Sequence, residues 1–108
     1  HLTGHGFRKL MRADRRLTYR IDSLPHVPEV LSFIVQRAEL SPAEAYSTLN
    51  MGAGFACFLG GGQGARFVKL AQRQGLSAVV AGRVEDGPRA VVLEPIGVEY
   101  PGSALEIR

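Results

Sequence analysis

Ser77-Ala78-Val79-Val80-Ala81-Gly82-Arg83-Val84 and Arg89-Ala90-Val91-Val92-Leu93, joined through Glu85-Asp86-Gly87-Pro88, form the stretch that decides the fold class. Two runs rich in β-branched residues flank four turn formers, a pattern that predicts strands over residues 77–84 and 89–93 joined as a hairpin. A hairpin is an antiparallel pair. Upstream, Leu17-Thr18-Tyr19-Arg20-Ile21 alternates apolar and polar side chains, which predicts a half-buried strand ending at the Asp22-Ser23-Leu24-Pro25 turn.

Helical patterns separate these strands. Leu31, Ile34, Val35 and Ala38 recur on one stripe, with Pro28 placed to open the helix. Ser41-Pro42-Ala43-Glu44 offers a capping serine, a first-turn proline and a glutamate that closes a capping box, so a second helix runs to about Leu49. The apolar run Gly54-Phe55-Ala56-Cys57-Phe58-Leu59 is read as a buried central strand. It leads through Gly60-Gly61-Gly62-Gln63-Gly64 into a third helix over residues 65–74, with Phe67, Leu70 and Ala71 as its buried stripe and Gly75 as its stop. Phe7, Leu10 and Met11 predict a short helix over residues 7–13, whereas residues 95–108 have too little periodicity to assign. Helices among the early strands and a late hairpin predict an α/β (α+β) fold, a mixed sheet flanked by helices, with residues 1–108 as a single domain. No internal repeat or linker interrupts it.

The 108 residues, 45% hydrophobic and 21% charged, suit a globular domain that can bury a core. No apolar run approaches the roughly 18 residues of a membrane helix, the first residues do not read as a signal segment, and the single cysteine has no intramolecular partner. These features predict a cytoplasmic protein with no membrane partner, in which Cys57 packs as a small core hydrophobe. The formal net charge of +3 is concentrated early, at Arg8, Lys9, Arg12, Arg15, Arg16 and Arg20. Such a bias fits a phosphate-bearing ligand, an acidic partner domain or a solvated helix face. The absence of interleaved aromatic residues argues against nucleic acid.

Chemistry is sparse in the residues themselves. His1, His5 and His26 are the only histidines, and Gly4 and Gly6 disfavour the helix that would align the first two, so no metal site is expected. The glycine run at 60–64 lacks the lysine-serine or lysine-threonine ending of a phosphate-binding P-loop. No serine lies in a nucleophile elbow, and the ten acids are scattered without a pair suited to magnesium. If the full protein uses ATP, another domain supplies the acids for it.

Two segments carry a family resemblance. His1-Leu2-Thr3-Gly4-His5-Gly6-Phe7 resembles the His-Ile-Thr-Gly-Gly-Gly signature of aminoimidazole ribonucleotide synthases, also called phosphoribosylformylglycinamidine cyclo-ligases. Tyr46-Ser47-Thr48-Leu49-Asn50-Met51-Gly52-Ala53-Gly54-Phe55 is similar to their Phe-Asn-Met-Gly-Ile-Gly segment at about the family distance. The Leu24-Pro25 turn, the helix after it and Val80-Ala81-Gly82-Arg83-Val84 extend the resemblance over nearly the whole chain. It departs at His5, where the family has glycine or aspartate, and at Leu49, where it has phenylalanine. It departs again at Arg8-Lys9-Leu10-Met11-Arg12, which replaces an Asn-x-Pro-Arg run.

The resemblance implies the C-terminal domain of a two-domain enzyme whose N-terminal domain, outside this chain, supplies most of the ATP and Mg2+ site. The isolated domain is then inactive and the intact protein a homodimer. The implied reaction is ATP-dependent ring closure of formylglycinamidine ribonucleotide, a phosphorylated small molecule. The resemblance names His1 as the catalytic candidate and Thr3, Gly4, His5, Gly6, Asn50, Met51 and Gly52 as substrate-binding residues facing the interdomain cleft. The alternatives are a divergent paralogue with another substrate and a non-catalytic binding domain.

Overall fold

A computed structural model of the chain describes residue 2, residues 6–12 and residues 16–105. Four strands form one mixed sheet: β1 (Leu17–Ile21), β2 (Gly82–Asp86), β3 (Ala90–Leu93) and β4 (Val98–Pro101), in the spatial order β2-β1-β3-β4. Strand β1 pairs antiparallel with β2, with Tyr19 opposite Val84, and parallel with β3, with Tyr19 opposite Val91. Strands β3 and β4 are antiparallel, with Val91 opposite Tyr100.

The sheet is mixed as expected, but the predicted hairpin is not formed. Strands β2 and β3 flank β1 and do not touch as a pair. Two strand spacings amount to about 9.6 Å, a distance that the three residues between β2 and β3 can bridge at about 3.3 Å per residue. The connection is pinned to the strand it crosses, since the Thr18 hydroxyl donates to the Pro88 carbonyl at 2.7 Å. Residues 77–81 lie outside the strands, and β2 begins at Gly82, where a Cβ would collide with the Arg20 carbonyl. Glycine is what lets β2 start this close to β1.

Alternation gives the sheet two unlike faces. Tyr19, Ile21, Val91, Leu93 and Tyr100 belong to the buried core, which the 3-10 segment Gly6–Arg12 and the helix over residues 42–48 complete through Phe7, Leu10, Met11, Ala45 and Tyr46. The opposite face bears a charge network. Arg20 Nε and Nη1 meet Glu85 Oε1 at 3.0 Å and Glu94 Oε2 at 3.1 Å, and Arg83 Nε meets Glu85 Oε2 at 2.7 Å. The hydrogen bond from Arg20 is the main reason the Glu85 carboxyl lies below its usual pKa, and the same pairing raises that of Arg20.

Three α-helices stand where expected: α1 (Glu29–Arg37), α2 (Pro42–Thr48) and α3 (Gly64–Arg73). The capping box of α2 is complete: Ser41 Oγ accepts from the Glu44 N–H at 3.2 Å and Glu44 Oε1 from the Ser41 N–H at 2.8 Å. Gly75, at φ +80°, ends α3 in a Schellman motif, with Leu76 N–H donating to Ala71 O and Gly75 N–H to Gln72 O, both at 3.0 Å.

Several expectations fail on burial. Neither α1 nor α3 buries a residue fully, so the stripes of Ile34, Phe67 and Leu70 are open, while Leu31, Val35 and Ala71 are half-buried. Residues 54–59 form no strand, and Phe55 is 68% and Phe58 59% exposed. A strand needs a partner ladder, and this run, bounded by Gly54 and three consecutive glycines, finds none among the described residues. Cys57 within it is exposed and is no core residue. The first helix is a 3-10 segment, and the unassigned tail contains β4, whose Tyr100 is buried.

Candidate functional site

The 3-10 segment at Gly6–Arg12 rests directly on the end of α2 and the turn that follows it. Gly6 has φ +53°, and a Cβ there would meet the carbonyl oxygens of Tyr46 and Leu49. Only glycine permits this approach. The Phe7 ring meets that of Tyr46 edge-on, with centroids 5.2 Å apart and planes at 69°. Arg8 donates through Nε at 3.0 Å and Nη2 at 2.7 Å to the Ser47 carbonyl, one of the last-turn acceptors that α2 leaves open. Leu2, buried, donates its N–H to the Gly54 carbonyl at 2.9 Å.

Residues 50–53 make a tight turn. The Asn50 carbonyl accepts from the Ala53 N–H at 2.9 Å, while Met51 and Gly52 have φ +50° and +95°. Two successive positive φ values are the pattern of a type I′ turn. Asn50 Oδ1 accepts from the Gly52 N–H at 2.9 Å, which fixes the side chain and leaves its NH2 group as the donor it can present outward. A positive φ is unfavourable for methionine, and the buried Met51 side chain, 5% exposed, anchors it in the core. Gly52 abuts the next segment, where a Cβ would press on the His26 carbonyl and come within 3.0 Å of Pro28 Cδ.

Of the residues singled out from the sequence, Gly6 lies against residues 46–49, and Asn50, Met51 and Gly52 form the adjoining turn. Met51 is buried and belongs to the core. His1, Thr3, Gly4 and His5 lie outside the described residues. Arg8 and Tyr46 were not singled out as site residues, although they fix the geometry. The charge of Arg8 was visible in the sequence, whereas its partner, a main-chain carbonyl, leaves no mark there. Among the described residues, no three His, Cys, Asp or Glu side chains gather as a metal site, and no helix is long and apolar enough to cross a membrane.

No family model matches the chain. It is 31% identical over 108 residues to the phosphoribosylformylglycinamidine cyclo-ligase of Methanococcus vannielii, covering 97% of this chain and 31% of that protein. The Methanocaldococcus jannaschii protein of the same name is 35% identical over 105 residues, covering 97% of this chain and 29% of the relative. That of Methanococcus maripaludis strain C6 is 33% identical over 86 residues, 80% of this chain and 25% of its own length. The chain thus spans about three tenths of the relatives it matches most fully.

Proposed function

Because this chain is homologous over nearly its whole length to one part of phosphoribosylformylglycinamidine cyclo-ligases, we propose that it is the C-terminal part of an enzyme of that kind. The enzyme closes the ring of formylglycinamidine ribonucleotide to aminoimidazole ribonucleotide, a purine-biosynthetic step in the cytoplasm. A further domain of the same protein provides the ATP site, and the intact protein is a homodimer. The observation that carries the reading is the convergence of the two resembling segments: Gly6 lies on Tyr46 and Leu49, and Leu2 is bonded to Gly54. Segments some forty residues apart in the sequence thereby come together.

ATP, when bound, activates the formyl oxygen by phosphorylation. This chain's part is to hold the substrate so that its internal nitrogen faces the formyl carbon, a positional contribution that requires a rigid wall. Rigidity comes from the locked turn at Asn50 to Ala53 and from the Arg8 clamp on α2. The amide NH2 of Asn50 serves as a substrate hydrogen-bond donor, and the resemblance assigns Thr3, Gly4, His5 and Gly6 to substrate binding and His1 to proton handling. The described residues, without a cluster of carboxylates, do not fit a magnesium site, so no step through the metal is assigned to them.

The test is turnover by the full-length protein with formylglycinamidine ribonucleotide and ATP, followed as aminoimidazole ribonucleotide formed. Turnover that falls at least tenfold in Asn50→Ala, with KM raised, supports the reading. A folded, full-length protein that leaves this substrate untouched and acts on another phosphorylated compound would be a paralogue.

A further inference from the structure

Asn50 is held from two directions by different means. Downstream, its Oδ1 accepts from the Gly52 N–H, and Gly52 abuts the His26 carbonyl and Pro28, which blocks the turn on that side. Upstream, Asn50 follows α2, a helix of seven residues and so fewer than two turns. Helices that short are marginal unless their ends are tied. At the start of α2, Ser41 and Glu44 complete the capping box, and the Tyr100 hydroxyl donates to the Ala43 carbonyl at 2.6 Å. At its end, the Leu49 N–H donates to the Ala45 carbonyl at 2.8 Å, and the Ser47 carbonyl, beyond that acceptor, takes both donors of Arg8.

Arg8 reaches this carbonyl across 39 positions of sequence, and Ser47 stands three residues before Asn50. A guanidinium suits the task, because its planar fork holds one acceptor with two N–H groups and its charge lies at the negative end of the helix. We propose that Arg8 is a positioning residue: by fixing the Ser47 carbonyl it sets where α2 ends, and thereby where Asn50 presents its NH2 group to the substrate. It acts by placing Asn50 and not by touching the substrate. The inference rests on the cyclo-ligase reading and deepens it.

The experiment is steady-state kinetics of the full-length protein with formylglycinamidine ribonucleotide and ATP. The parent is compared with Arg8→Ala, Arg8→Lys, Asn50→Ala, the double variant Arg8→Ala with Asn50→Ala, and Ser41→Ala, at a temperature where circular dichroism shows each of them folded. Arg8→Ala lowers kcat/KM about tenfold, chiefly through KM, and Arg8→Lys, which keeps a charged donor, stays within about threefold of the parent. In the Asn50→Ala background, Arg8→Ala costs no more than about a further twofold, because residues that act as a unit are non-additive. Ser41→Ala loosens the other end of α2 and leaves kcat/KM within about twofold of the parent, which separates placement of Asn50 from a general loss of helix. Should Arg8→Ala not fold, Arg8→Lys carries the same cycle, with a loss of about threefold that disappears in the Asn50→Ala background. Three results overturn the inference while the reaction stands: an Arg8→Ala protein as active as the parent, a double variant whose loss is the product of the two single losses, or Ser41→Ala impaired as much as Arg8→Ala. A folded parent that does not cyclise this substrate removes the cyclo-ligase reading and the inference with it.

Discussion

Two regions of the molecule carry apolar residues at regular spacing, yet only one buries them. In the first, residues 6–12 and 45–51 close over one face of the sheet and hide Phe7, Met11, Tyr46 and Met51. In the second, residues 54–80, Phe55, Phe58, Phe67, Leu70, Leu76 and Val80 are exposed. The first region has close backbone approaches that glycine permits, with Gly6 lying against the end of α2, whereas most glycines of the second have open space around them. Periodicity therefore reports that a face is suited to burial; whether the chain itself supplies the cover depends on contacts distant in sequence.

The contrast can be broken by mutation. Met11→Ala in the fully buried core lowers stability by about 2 to 5 kcal/mol in urea unfolding, because a cavity replaces its contacts. If Met11→Ala has no more effect than an exposed substitution, the two regions do not differ as described. Gly6→Ala, which combines an unfavourable positive φ with a clash on the end of α2, costs about 2 to 3 kcal/mol by the same measurement.

Smaller effects sharpen the boundary. Arg8→Ala removes both donors from the Ser47 carbonyl and costs about 1.5 kcal/mol, with Arg8→Lys intermediate. Ser41→Ala opens the capping box and costs about 1 kcal/mol. Chiefly because the Ser41 backbone N–H bonds to its carboxylate, Glu44 has a lowered pKa when folded. Its contribution is therefore present above the ordinary carboxylate range and lost as the pH falls through and below it, so at matched neutral stability acid unfolding should begin at lower pH in Glu44→Gln, which has no such contribution to lose, than in the parent. Burial pushes the Tyr100 phenol up to about 12, with its hydroxyl donating to Ala43 O at 2.6 Å. The raised value makes its contribution complete below about pH 10, the unfolded value, and lost as the pH climbs towards 12, which absorbance at 295 nm follows directly. At the bottom of the scale, Phe67→Ala on open α3 changes stability by no more than about 0.5 kcal/mol in this chain. A loss comparable with that of Met11→Ala would show that α3 is covered.

Local signals in the sequence were dependable. The Ser41 to Glu44 box, Gly75 after α3 and the alternation of β1 each describe an interaction within a few residues, and each is present. Signals that depend on a distant partner were not. The hairpin over residues 77–93 looked sound because Gly87 and Pro88 are strong turn formers, and nothing within that stretch says that β1 is inserted between its arms. The run at 54–59 has strand composition but no ladder, and β4 was overlooked because Pro95 and Gly97 break the alternation carried by Val98 and Tyr100. For the site, the two resembling segments were legible one by one. Their meeting at Gly6 and the tight turn at Asn50 became evident only in three dimensions.

The inserted position of β1 sets an order on how the chain is made. Its neighbours lie far downstream, with Arg20 paired to a residue 65 positions away and Thr18 bonded to one 70 positions away. During synthesis β1 has no edge within this sheet to join until residues 82–93 have emerged, and long loops of this kind slow closure. Strand β1 therefore settles into the sheet only after the polypeptide that will flank it has been translated.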